Sequence, residues 1–129
     1  MDKKKILIVE DDRDIAMGLS LRLKANGYDT AYASDAHSGI DVASKEKPHL
    51  ILLDLGLPDD NGFVLMKKLE NIPSLSSIPI IVLTGRPHEV YKEATVLAGA
   101  KKYLQKPVAN QELLAAIGEV LGPQGGAGR

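Results

Sequence analysis

Short aliphatic runs alternate with segments of helical period from one end of the chain to the other, and that alternation restricts the fold more than any other feature. Lys5-Ile6-Leu7-Ile8-Val9, Leu50-Ile51-Leu52-Leu53 and Pro79-Ile80-Ile81-Val82-Leu83-Thr84 are apolar on consecutive positions. Such runs belong to strands buried on both faces. Two weaker strands, Tyr28–Ala33 and Lys101–Gln105, carry tyrosine and lysine and suit sheet edges. Between them lie segments of helical spacing. Arg13–Asn26 holds Ile15, Leu19 and Leu23 at i, i+4, i+8 and stops at Gly27. Ala36–Lys45 ends before Pro48, and Gly62–Glu70 turns Leu65, Met66 and Leu69 inward. Pro87 suits the first turn of a helix running to about Ala98, ended by Gly99. Asn110 is the expected cap of a last helix bearing Leu113, Leu114, Ile117 and Leu121.

Five βα units in strict alternation predict an α/β fold with a doubly wound, five-stranded parallel sheet, five covering helices and right-handed crossovers. The common strand order for five strands is 2-1-3-4-5, with the switch point between strands one and three. At 129 residues the chain suits one domain, expected over residues 1–122, with the Gly-rich stretch 123–129 as a flexible tail or the start of a linker.

Composition closes off several kinds of chemistry. With no cysteine, disulfides, thiolate metal sites and cysteine nucleophiles are excluded. Sixteen basic against seventeen acidic side chains leave a net charge of -1, which offers no broad field for nucleic acid or membrane binding. The opening Met1-Asp2-Lys3-Lys4-Lys5 leads into an apolar run that acids interrupt too early for a signal sequence, and no run approaches the ~20 residues of a membrane span. A soluble, cytoplasmic protein is expected.

In the predicted strand order, Glu10-Asp11, Asp54, Thr84 and Lys106 stand at the carboxyl ends of four adjacent strands about 4.8 Å apart. Ligands of open α/β sheets bind at that edge. Carboxylates sharing a crevice repel one another, so they take up protons or bind a cation. Oxygen donors with no histidine or cysteine near in sequence favour magnesium, with manganese as its substitute, over zinc. With a cation present, Asp54 stays ionised and can attack a phosphorus in line. The Lys106 ammonium and the Thr84 hydroxyl complete a clamp for phosphoryl oxygens.

Over about residues 4–122 the chain resembles the receiver domains of two-component response regulators. The resemblance rests on ILIVEDD, LILLDLGLPDDNGF, IIVLTG and YLQKP, in order and at family-like spacing. It implies a flavodoxin/CheY-like fold and a phosphorelay role rather than a dedicated enzyme. Residue by residue, it implies that Glu10 and Asp11 bind Mg2+ with Asp54 and the backbone carbonyl of Gly56. Asp54 matches the phosphoacceptor, Thr84 the switch hydroxyl, Tyr103 the switch aromatic and Lys106 the lysine that pairs with the phosphoryl group. It also makes Lys106-Pro107 a candidate cis bond.

The implied partners are a sensor histidine kinase or a histidine phosphotransfer protein as donor, and an output domain or target protein that the sequence does not identify. The implied switching face is helix four, strand five and helix five, where phosphorylation can also drive dimerisation. The chain reads as a stand-alone receiver or one excised from a longer regulator or hybrid kinase.

Plainer readings stand beside these. Asp12 reads as the cap of the first helix. Tyr103 can be simple edge-strand packing, Met17 and Leu21 either helix packing or a docking face for the donor, and Lys92, Lys101 and Lys102 a solvated face or an output surface. His37, His49 and His88 lack ligand spacing and are expected at the surface.

Gly56 and Arg86 depart from the commonest receiver pattern, which leaves the phosphoryl lifetime open; Gly85 stands where alanine is usual and adds backbone freedom that can ease the movement of Thr84; and Gly18 inside the first helix costs about 1 kcal/mol relative to alanine. An aspartate-nucleophile phosphatase needs a second acid two residues after Asp54, where Gly56 stands. A flavodoxin-like nucleotide binder needs a glycine- or hydroxyl-rich loop where Glu10-Asp11-Asp12 stand. A receiver-like scaffold that works without phosphorylation is the remaining alternative.

Overall fold

The run Leu50–Leu53 is buried at every position, the expected state of a strand with helices on both sides. A computed structural model describes residues 3–55, 62–85 and 88–122, without the side chains of 88–91. Gly56, Arg86, Pro87 and the tail 123–129, on which several expectations fall, lie outside the described residues. The elements are β1 (Lys5–Val9), α1 (Arg13–Ala25), β2 (Asp29–Ala33), α2 (Ala36–Glu46), β3 (Leu50–Leu53), α3 (Gly62–Glu70), β4 (Ile80–Thr84), α4 (His88–Leu97), β5 (Lys102–Gln105) and α5 (Asn110–Leu121).

All four strand pairings are parallel and the order is β2-β1-β3-β4-β5. This is the expected doubly wound sheet. Alternation of side chains along each strand divides the core into two layers. Leu7, Val9, Ile51, Leu53 and Val82 face one side with Leu65, Met66 and Leu69 of α3 and Ala43 of α2. Ile6, Ile8, Leu50, Leu52, Ile81 and Leu83 face the other, against Leu19 and Leu23 of α1 and Leu113 and Ile117 of α5.

Local signals set several of the helix ends. Asp12 takes an extended conformation and its side chain accepts from the Asp14 and Ile15 N–H groups at 2.9 and 3.1 Å, so it is the N-cap of α1. Asp35 does the same for α2 through the Ser38 N–H at 2.8 Å. Gly27 (φ 91°) and Gly99 (φ 110°) follow α1 and α4 in the left-handed region, where a side chain is strained.

Two expectations are corrected. The buried stripe of α1 is Ala16, Leu19 and Leu23, whereas Ile15 is 38% exposed. Steps of four residues overrun the 3.6-residue turn by about 40° each, so Ile15 drifts to the rim while Ala16 falls beneath Leu23. The N-cap of α5 is Ala109, with no side-chain hydrogen bond, and Asn110 is already helical. The extended backbone of Ala109 (φ -68°, ψ 146°) directly after Val108 moves the boundary back one residue. His37 and His49 are exposed as expected; His49 Nδ1 accepts from the Lys5 N–H at 3.0 Å.

Candidate functional site

Where β1 and β3 end, three acids converge. Glu10 and Asp11 follow β1 and Asp54 follows β3, and each offers a carboxylate oxygen within 4.8 Å of the others. Backbone bonds hold both chain ends: the Asp54 N–H donates to the Val9 carbonyl at 3.1 Å, and the Glu10 N–H to Ala33 at 3.1 Å. Glu10 is buried, Asp54 half-buried and Asp11 exposed, so the cluster opens outward from a dry floor.

Lys106 reaches into this cluster from the end of β5. Its ammonium donates to Glu10 Oε1 and lies 3.4 Å from Asp54 Oδ2. Its backbone N–H donates to the Thr84 carbonyl at 2.8 Å, which ties the end of β5 to the end of β4. The Lys106-Pro107 peptide bond is cis. Thr84 itself is 1% exposed, so a threonine occupies the last buried position of β4 beside the acids.

Burial pushes the Glu10 carboxyl above the usual carboxylate range, and the Asp54 charge adds to this; the bonds from Lys106 and from the Asp12 N–H oppose it without prevailing. Burial works against the Lys106 ammonium too. The hydrogen bond to Glu10 and the charges of Asp54 and Glu10 outweigh it, so Lys106 titrates above its ordinary value. The Glu10 shift is first an effect of burial, whereas the Lys106 shift records the two acids around its ammonium. Three carboxylates against Lys106 leave two charges unmatched, the charge of one divalent cation. An all-oxygen donor set of this kind fits Mg2+ or Mn2+.

Tyr103 is 6% exposed and pairs in register with Val82, two residues before Thr84. Side chains two apart on a strand share a face, so Tyr103 and Thr84 lie on the same side of the sheet. The sequence brought Glu10, Asp11, Asp54, Thr84, Tyr103 and Lys106 forward, and the structure places all of them at or next to this sheet edge. Gly56 lies outside the described residues.

One residue escaped the sequence reading. A Cβ on Gly62 would stand 2.9 Å from Leu55 Cδ2, 3.0 Å from Leu55 Cα and 3.1 Å from the Asp54 carbonyl oxygen. The Gly62 N–H also donates to the Leu55 carbonyl at 3.0 Å. The start of α3 thus presses on the backbone that carries Asp54. The glycine in Asp60-Asn61-Gly62-Phe63 was the available signal.

A family model described as the response regulator receiver domain matches residues 6–118. Among solved structures, a Chloroflexus aurantiacus protein assigned as a response regulator is 31% identical, with a TM-score of 0.89 over 95% of this chain and 100% of its own. A CheY-like receiver domain protein from Methanospirillum hungatei is 33% identical, with a TM-score of 0.84 over 93% of this chain and 94% of its own. The BeF3-activated N-terminal receiver domain of Klebsiella pneumoniae RstA is 28% identical, with a TM-score of 0.86 over 93% of this chain and 100% of its own.

Proposed function

Because the chain belongs to the response regulator receiver domain family, we propose that it accepts a phosphoryl group on Asp54 from a histidine kinase or histidine phosphotransfer protein and passes that state to a partner. The carrying observation is the convergence of Glu10, Asp11 and Asp54 with Lys106 at one sheet edge. In the transfer, an Asp54 carboxylate oxygen bonds to phosphorus as the donor's P–N bond breaks, and the electron pair returns to the imidazole nitrogen. Hydrolysis reverses the charge: water adds to phosphorus, the Asp54–phosphorus bond breaks, and the free carboxylate returns with inorganic phosphate.

Glu10 and Asp11 would hold Mg2+ together with Asp54, and Gly56, outside the described residues, is the expected carbonyl ligand. The ion supplies charge neutralisation for the phosphoryl oxygens. Lys106 leaves Glu10 for a phosphoryl oxygen, and Thr84 donates its hydroxyl to another. Phosphorylation adds about two negative charges to the crevice. Drawing Thr84 inward opens room on the face it shares with Tyr103, which links Asp54 to the α4, β5 and α5 surface as the output and dimerisation face. The Klebsiella relative was solved as a BeF3-activated receiver, and the same mimic suits this chain. The module signals by its covalent state and needs no substrate turnover beyond its own phosphorylation and dephosphorylation.

No helix among the described residues is long and apolar enough to cross a membrane. Acetyl phosphate with Mg2+ is expected to add one phosphoryl group by intact mass, and Asp54→Asn to abolish it. Equal labelling of Asp54→Asn would refute the assignment.

A further inference from the structure

At the opposite flank from α5, α1 leaves part of the sheet uncovered. A groove of about 320 Å³ runs between the outer side of α1 and β2, with Thr30 and Tyr32 on its floor and Met17 and Leu21 on its wall. Met17 and Leu21 are each 64% exposed, with Ile8, Ala16 and Ala31 as the other aliphatic side chains of the lining. The Tyr32 hydroxyl is shut off from water and has no hydrogen-bond partner among the described residues.

The edge itself is open. β2 ends the sheet. The Asp29 N–H donates to Lys4 at 2.9 Å and the Ala33 carbonyl accepts from Glu10 at 3.1 Å, so the odd-numbered residues of β2 pair with β1. In a parallel ladder the intervening residues turn their N–H and C=O groups the other way. Thr30 and Tyr32 therefore present backbone donors and acceptors outward from the same residues whose side chains floor the groove.

Only two charged side chains line the groove, and both are cations: Arg13 near one end and Lys24 near the other. Eleven residues of helix separate them by about 16 Å. Six steps of extended chain, an even number that keeps both end side chains on one face, span about 20 Å, a match within the reach of the long Arg13 and Lys24 side chains.

The geometry points to an interaction site for an extended peptide segment that adds a strand to β2, places two apolar side chains over Thr30 and Tyr32 against Met17 and Leu21, and sets acidic side chains beside Arg13 and Lys24. Backbone bonds supply affinity in this mode of recognition, and alternate side chains supply specificity. A second copy of this chain fits less well. Two copies of β2 paired antiparallel across a two-fold axis bring Arg13 of one copy toward Lys24 of the other.

The test uses the whole chain and a blocked seven-residue peptide with glutamates at both ends, valines at its third and fifth positions and threonines between. Titration followed by amide and methyl NMR is expected to give saturable shifts at Thr30, Tyr32, Met17 and Leu21, with slowed hydrogen exchange at the Thr30 and Tyr32 amides. A peptide with lysines replacing both glutamates is expected to bind at least tenfold more weakly, and Lys24→Glu, which leaves one cation and one anion at the ends of the groove, to abolish that preference with its circular dichroism unchanged. Leu21→Glu is expected to weaken the acidic peptide at least tenfold. No saturable binding, shifts confined to another surface, or equal binding of the two peptides overturns the proposal. So does a peptide-free dimer that protects the same amides, which would give the edge to a second copy.

Discussion

Lys106 and Glu10 form the most buried ion pair among the described residues, with side chains 20% and 4% exposed. The same ammonium lies 3.4 Å from Asp54, so a single cation is shared by two acids that follow two different strands. This sharing makes the resting site a balance of charges that a metal ion or a phosphoryl group can tip, and the energetic consequences are measurable.

Removing the ammonium leaves Glu10 buried beside two other acids. Lys106→Ala is expected to destabilise the metal-free chain by about 1–3 kcal/mol, below the cost for a fully buried pair because Lys106 retains some exposure. Urea denaturation in EDTA measures it, and an unchanged midpoint would show that the pair contributes nothing.

The raised Glu10 carboxyl carries a pH signature. Its folded state holds a proton more tightly than its unfolded state does, so its contribution to stability is complete below the unfolded value and is lost as pH rises through the folded one. Metal-free protein should therefore lose stability on leaving mildly acidic conditions, in a window starting near the ordinary carboxylate range. Glu10→Gln should flatten that decline. A denaturation series against pH in EDTA with both proteins checks it; parallel curves would remove Glu10 as the cause.

Mg2+ is expected to raise thermal stability in a saturable way, by about 2.7 kcal/mol at a free concentration one hundred times Kd. Asp11→Asn and Asp54→Asn should each weaken the response, since each removes a charged oxygen donor. Calorimetric titration reads the affinity directly, and an Mg2+ response in both variants equal to that of the unsubstituted chain would place the ion elsewhere.

Two glycines separate crowding from conformational cost. Gly62→Ala drives a methyl group against Leu55 and the Asp54 carbonyl, at an expected cost of about 1–3 kcal/mol and with slower labelling of Asp54 by acetyl phosphate. At Gly18 a Cβ meets nothing within 4 Å, and Gly18→Ala should stabilise α1 by up to about 1 kcal/mol. Thermal melts and labelling rates for the two variants provide the comparison. Equal effects would show that space at Gly62 is not what matters.

Much of this architecture was legible because a few local signals are strong. Consecutive apolar residues in Leu50–Leu53 and Ile80–Leu83 can be buried on both faces only in the middle of a sheet, and Gly27 and Gly99 stop helices wherever the chain sits. Ile15 was misread because a spacing of four looks helical while drifting off the core. Ala109 was missed because alanine carries no capping group to announce it. Gly62 was passed over because its value lies in what it nearly touches.

The linear chain by itself determined the element order, the parallel sheet and which residue types stand at each strand end, since these follow from hydrophobic periodicity and turn chemistry. The tertiary structure decided which charges share a dielectric environment. Nothing in the sequence around Lys106 says that its ammonium rests on Glu10, 96 residues away, with Asp54 as the second partner. Nor does it say that Tyr32 ends on the floor of an uncovered groove. Burial, charge pairing and open edges are properties of surfaces brought together, and they exist only once the five strands lie side by side.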